Sequence, residues 1–135
     1  MDAAQALADL TEISSQVEAA VLFDEAGEIA GSTLAGEGAA ALARAAEKLL
    51  ERASALGAGD IAQVEASTPD GSVFVVSEGR RRIAATTGPD PTTGLVFYDL
   101  KSALRDSATV SDTETVSDTV KPRRKRAPKK VDDAA

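Results

Sequence analysis

The chain has 135 residues, enough for one domain of about 100 ordered residues and a short extension. It contains no cysteine and no histidine, which removes disulfides, thiol nucleophiles, imidazole bases and the usual zinc ligands together, and with them most enzyme classes. The net charge of −7 divides unevenly: residues 1–106 hold 8 basic and 17 acidic side chains, whereas Lys121 to Lys130 holds 7 basic and none acidic.

An acidic body and a basic tail point to different partners for the two regions. The N-terminus carries Asp2 and Asp9 in place of a basic leader, and no apolar run approaches the ~20 residues that span a bilayer. The expectation is a soluble, cytoplasmic protein.

Residues 3–14 place Ala3, Ala6, Leu7, Leu10 and Ile13 at spacings of three and four behind Asp2, which predicts a short amphipathic helix with an acidic N-cap. Ala19 to Phe23 reads as an apolar strand. Asp24-Glu25-Ala26-Gly27 supplies the residues of a turn, and Glu28 to Ser32 returns as a second strand. A hairpin fixes these strands as antiparallel neighbours and excludes a βαβ nucleotide-binding start.

From Gly36 to Leu56 one stripe of Leu42, Ala45, Ala46, Leu49, Leu50, Ala53 and Leu56 predicts a long helix ending at Gly57. Arg44, Lys48, Glu51 and Arg52 occupy its other face, where Arg44–Glu47 and Lys48–Glu51 have i,i+3 spacing. Three strands follow, at Ile61–Ser67, Ser72–Ser77 and Arg82–Thr87, broken by Pro69-Asp70-Gly71 and Glu78-Gly79. The run from Gly94 to Arg105 contains strand-like Leu-Val-Phe-Tyr, but Phe97, Leu100 and Leu104 are helically spaced, and a helix capped by Thr92 or Thr93 is expected. Beyond Asp106, Ser, Thr, Asp, Lys, Pro and Arg dominate, a composition that predicts a disordered tail at 107–135 after a domain at 1–106.

Few motifs carry chemistry. Gly36-Glu37-Gly38-Ala39-Ala40-Ala41 fits G-x-G-x-x-A, but the strand before it is a hairpin arm and Glu37 sets a like charge beside any phosphate. No cofactor site is expected. Asp24 and Glu25 lie in a turn and Glu47 and Glu51 on a solvated helix face, without the burial that would raise one pKa for general acid work. Asp24, Glu25 and Glu28 fit no cation loop, so no metal site is assigned. Serine lacks a base, and no catalytic residue is named.

Arg80-Arg81-Arg82 reads either as a solvated hairpin tip or as a contact for an acidic or phosphate-bearing partner. In the tail, Thr109-Val-Ser-Asp-Thr113 recurs as Thr115-Val-Ser-Asp-Thr119. Thr109 and Thr115 are candidate phosphosites for a phosphothreonine reader, although such repeats also arise by chance. Lys121, Arg123, Arg124, Lys125, Arg126, Lys129 and Lys130 form a polyanion-binding candidate for nucleic acid, polyphosphate or anionic membrane. They lack interleaved aromatics for base stacking, and the acidic body is an equal alternative partner.

The order helix, hairpin, long helix, three-strand meander, helix over residues 3–106 resembles the roadblock domain, named for dynein light chains and found in bacterial regulators of small GTPases. Local features agree: Leu10-Thr-Glu-Ile13, Val21-Leu-Phe-Asp-Glu-Ala-Gly27, the Ala/Leu-rich helix 39–56 and Gly94-Leu-Val-Phe-Tyr-Asp-Leu100. The resemblance implies an α+β fold, α-β-β-α-β-β-β-α, with a five-stranded antiparallel sheet flanked by helices. It also implies a homodimer in which third strands pair edge to edge and long helices pack side by side. Leu42, Ala45, Ala46, Leu49, Ile61, Gln63, Val64 and Glu65 are its candidate interface.

A noncatalytic scaffold or regulator of a Ras-like small GTPase follows as the leading expectation, acting through an acidic face around the paired long helices. Arg44, Lys48, Arg52, Arg80, Arg81 and Arg82 are partner-binding candidates, and no small-molecule substrate is expected. The alternative is a dimeric tether whose basic tails bind polyanions with avidity.

Overall fold

The computed structural model describes residues 2–58 and 62–116. Asp2 caps the first helix, α1 (Ala3–Ile13), by accepting a hydrogen bond from the Gln5 N–H at 2.8 Å. Its Ala6, Leu7 and Leu10 are buried. The helix ends where the Ser14 N–H reaches back to the Leu10 carbonyl.

The hairpin follows as β1 (Val17–Asp24) and β2 (Ile29–Ser32). Asp24 organises the turn: its carboxylate accepts from the N–H groups of Ala26 and Glu28, both at 2.9 Å. Next come α2 (Gly36–Ala53), the meander of β3 (Gln63–Thr68), β4 (Gly71–Glu78) and β5 (Arg81–Thr87), and α3 (Thr93–Val116). All pairings are antiparallel and the sheet order is β2-β1-β5-β4-β3. The expected five-stranded α+β arrangement is therefore present.

β1 is apolar almost throughout because both its faces are covered. Toward one face, Ala20 and Leu22 join Leu7 and Leu10 of α1, Phe74 and Val76 of β4, Ile83 of β5, and Val96, Leu100 and Leu104 of α3. Toward the other, Val21 and Phe23 meet Leu42, Ala46 and Leu50 of α2, Val75 of β4 and Ala84 of β5. A register shift between Val17 and Ala19 brings Val17 onto the face of Ala20 and Leu22. The result is three layers, α1/α3, sheet and α2. Phe74 and Phe97 join the sheet to α3 edge to face, with centroids 5.0 Å apart, worth ~0.5–1.5 kcal/mol beyond area burial.

Several boundaries depart from the sequence reading. The α2 helix stops at Ala53, and Ser54–Ala58 forms a π-helical turn. Leu56, counted with the apolar stripe, is consequently 86% exposed. The last helix continues ten residues past the expected domain boundary, because nothing from Leu95 to Val120 is a Gly or Pro breaker. Leu95-Val-Phe-Tyr98 is helical since Val96, Phe97, Leu100, Ala103, Leu104 and Ser107 make one buried stripe. Ile61 and residues 117–135 lie outside the described residues.

Candidate interaction surface

The three consecutive arginines do not act as one cluster. Side chains alternate across a strand, so Arg81 and Arg82 leave β5 on opposite faces. Arg81 turns to α3, where its Nη2 donates to Ser107 Oγ at 3.0 Å. Arg82 turns to α2, 3.9 Å from the Glu47 carboxylate. Arg80, in the β4–β5 turn, bonds the Glu25 carboxylate of the β1–β2 turn at 3.2 Å, and its carbonyl accepts the Glu25 N–H.

Both hairpin tips are thus tied together at one end of the sheet. There Arg105 of α3 also pairs with Glu78 at 2.8 Å, and this bond, reinforced by the opposite charge, raises the Arg105 pKa. Of the three arginines, only Arg80 retains a largely exposed side chain, at 83%.

The carboxylates of the first turn likewise serve structure, and Glu47 of α2 leans toward Arg82. Asp24 closes its turn and Glu25 holds Arg80. Glu25, Glu47 and Glu51 line an open groove of about 430 Å³ with Leu50, Ser54 and Arg82. Among the described residues, no group of three His, Cys, Asp or Glu side chains is placed to hold a metal ion. Gly36 and Gly38 open α2 after an antiparallel strand, so no βαβ unit stands behind them. Among the described residues, no helix is long and apolar enough to cross a membrane.

The residues expected at a dimer interface divide in two. Leu42 and Ala46 belong to the chain's own core, Ala46 with no exposed surface. Ala45 remains exposed and Leu49 half-buried on the flank of α2. Glu65 and Val64 are half-buried and Gln63 is exposed on β3, which among the described residues is an edge strand paired only to β4.

The Ser77 N–H donates to the Ala62 carbonyl at 2.8 Å. With Gln63 opposite Val76, this sets the alternation. Val64 and Ala66 turn their backbone groups toward β4, while Gln63, Glu65 and Ser67 turn theirs to the open edge. Leu49 and Val64 pack against the same core cluster, so the α2 flank and the open edge are continuous. Leu34 and Leu56 are further exposed apolar side chains at the two ends of α2. Sequence spacing counted Leu56 in the apolar stripe of a continuous helix, and the π-turn leaves it on the surface.

Arg44, Lys48 and Arg52 are exposed on the outer side of α2. The expected Arg44–Glu47 and Lys48–Glu51 pairs are not among the ion pairs of the described residues, as Glu47 leans instead toward Arg82. The side of α2 away from the sheet therefore carries Arg44, Lys48 and Arg52 in line, with the exposed Glu51 beside them. Thr109 lies in α3, as does Thr115. The polyanion candidates Lys121 to Lys130 are outside the described residues.

A five-stranded antiparallel sheet with one long helix on one face and a helix pair on the other defines an α+β domain. The fold is that of the Roadblock/LC7 domain. A Roadblock/LC7 domain from Streptomyces avermitilis superposes with a TM-score of 0.73 at 18% identity, covering 82% of this chain and 98% of that one. The gliding protein MglB from Thermus thermophilus gives a TM-score of 0.63 at 16% identity over 82% of this chain and 89% of its own. An MglB solved in a tetrameric arrangement gives 0.61 at 16% identity, over 81% and 89%. No protein-family model matches the sequence, and no curated protein matches it significantly. At these identities the likeness is one of fold.

Proposed function

We propose that this chain is a noncatalytic homodimeric regulator or scaffold that binds a Ras-like small GTPase in the cytoplasm. The observation that carries this reading is the exposed flank of α2, with Ala45 and Leu49, running into the open edge of β3. Gln63, Glu65 and Ser67 turn backbone groups there that no described residue pairs with, and such a strand edge beside small and apolar side chains suits a second copy of itself across a two-fold axis. Two β3 strands would continue the sheet across the axis, with two α2 helices side by side above it. The roadblock fold favours the GTPase partner, since regulators of small GTPases are the company this fold keeps. An MglB in a tetrameric arrangement adds support for self-association.

Sedimentation of the purified full chain tests the dimer, and the outcome expected is a single dimeric species at micromolar concentration. The GTPase reading is tested with the Ras-like GTPases of the same organism: binding to one of them, or a changed hydrolysis rate, is expected. Absence of both across all of them would end it. The basic segment Lys121 to Lys130 supports a second role as a tether for polyanions. Removing residues 121–135 is then expected to abolish salt-sensitive association with polyphosphate and to leave GTPase binding intact.

A further inference from the structure

Four arginines among the described residues already have partners: Arg80 meets Glu25, Arg81 meets Ser107, Arg82 meets Glu47 and Arg105 meets Glu78. Arg44, Lys48 and Arg52 differ. All three are exposed, they follow one another at i,i+4 along α2, and no ion pair joins them to another described residue. Helix-dipole stabilisation accounts for a cation in the last turn, hence for Arg52, but falls away before Lys48 and Arg44.

In a body with 17 acidic and 8 basic side chains, three unpaired cations aligned over ~12 Å of helix, with Glu51 as the exposed carboxylate beside them, leave the strip with a positive excess that attracts opposite charge.

We infer that the outer strip of α2, Arg44-Lys48-Arg52, docks an acidic helical segment of a protein partner. An acidic helix with carboxylates at every fourth residue repeats the ~6 Å step of these cations. Exposed Ala41 beside them leaves room for a second backbone to come close. A phosphate polymer fits less well: it extends over an acidic body that repels it, whereas screening within ~8 Å confines attraction to a short charged segment. The inference rests on the reading of this chain as a protein-binding regulator and names the chemistry of the partner's contact.

The test uses the full-length chain, isotopically labelled, and a helical peptide with Glu at every fourth position. Amide shifts are expected along Ala41–Arg52, with affinity falling as salt rises from about 50 to about 200 mM. The double substitution Arg44→Glu, Lys48→Glu is expected to weaken binding about tenfold or more and to let the chain take up the same peptide with Lys for Glu. Both positions are exposed, and an unchanged melting curve confirms that the variant folds.

Shifts confined to Lys121–Lys130, or unchanged affinity in the variant, would overturn the inference. So would displacement of the peptide from α2 by an equal concentration of single-stranded oligonucleotide. If the peptide binds the strip while every GTPase fails to bind, the GTPase reading falls and the strip stands.

Discussion

Gly71 opens β4 directly against the end of β5. A Cβ built there would sit 2.2 Å from the Thr87 carbonyl oxygen, a backbone atom that cannot swing aside as a side chain would. Gly71→Ala is therefore expected to lower stability by ~1–3 kcal/mol, read as a shifted urea midpoint with unchanged m-value. Arg81 and Arg82 show a different kind of residue-level constraint. Their adjacency suggested joint action, yet strand alternation sends one to Ser107 and the other to Glu47. The composition of Arg80-Arg81-Arg82 was legible from sequence. Its division between two faces depended on knowing that β5 begins at Arg81 and not one residue later.

The hairpin, the long helix and the meander were legible because each is bounded by turn residues and has one clear period. The Asp24–Gly27 turn and the Pro69-Asp70 break fall where the strands stop. What was hidden depended on packing. Leu42 and Ala46 belong to the same stripe as Ala45 and Leu49, but only the position of the sheet separates core from flank. The π-turn after Ala53 has no sequence signature, and the length of α3 followed from the absence of a breaker, which is a weak signal.

The alternation along β3 separates pairing to β4 from pairing to a second copy. Glu65→Pro removes an edge-facing N–H and is expected to leave unfolding stability within about 1 kcal/mol while abolishing the dimer in sedimentation. Ala66→Pro removes an N–H that serves β4 and is expected to destabilise the fold itself by ~3 kcal/mol. Equal loss of fold in both would argue against the assigned alternation.

Across the whole molecule, every buried apolar residue among the described ones lies between Ala6 and Leu104, and both core clusters close within that span. Removing residues 121–135 is accordingly expected to leave the melting temperature of the body unchanged, checked by calorimetry at matched protein concentration. The covering of β1 on both faces also bears on the chain before it folds. Ala19-Ala20-Val21-Leu22-Phe23 is an uncharged, Pro-free window, and in a nascent or heat-opened chain such a window is the natural seed of cross-β aggregation. It is bracketed by Glu18, exposed in the folded state, and Asp24, whose carboxylate also shapes the turn. Charges at these two positions oppose such pairing, and replacing both with apolar residues is expected to lower the yield of soluble protein on refolding, measured by light scattering.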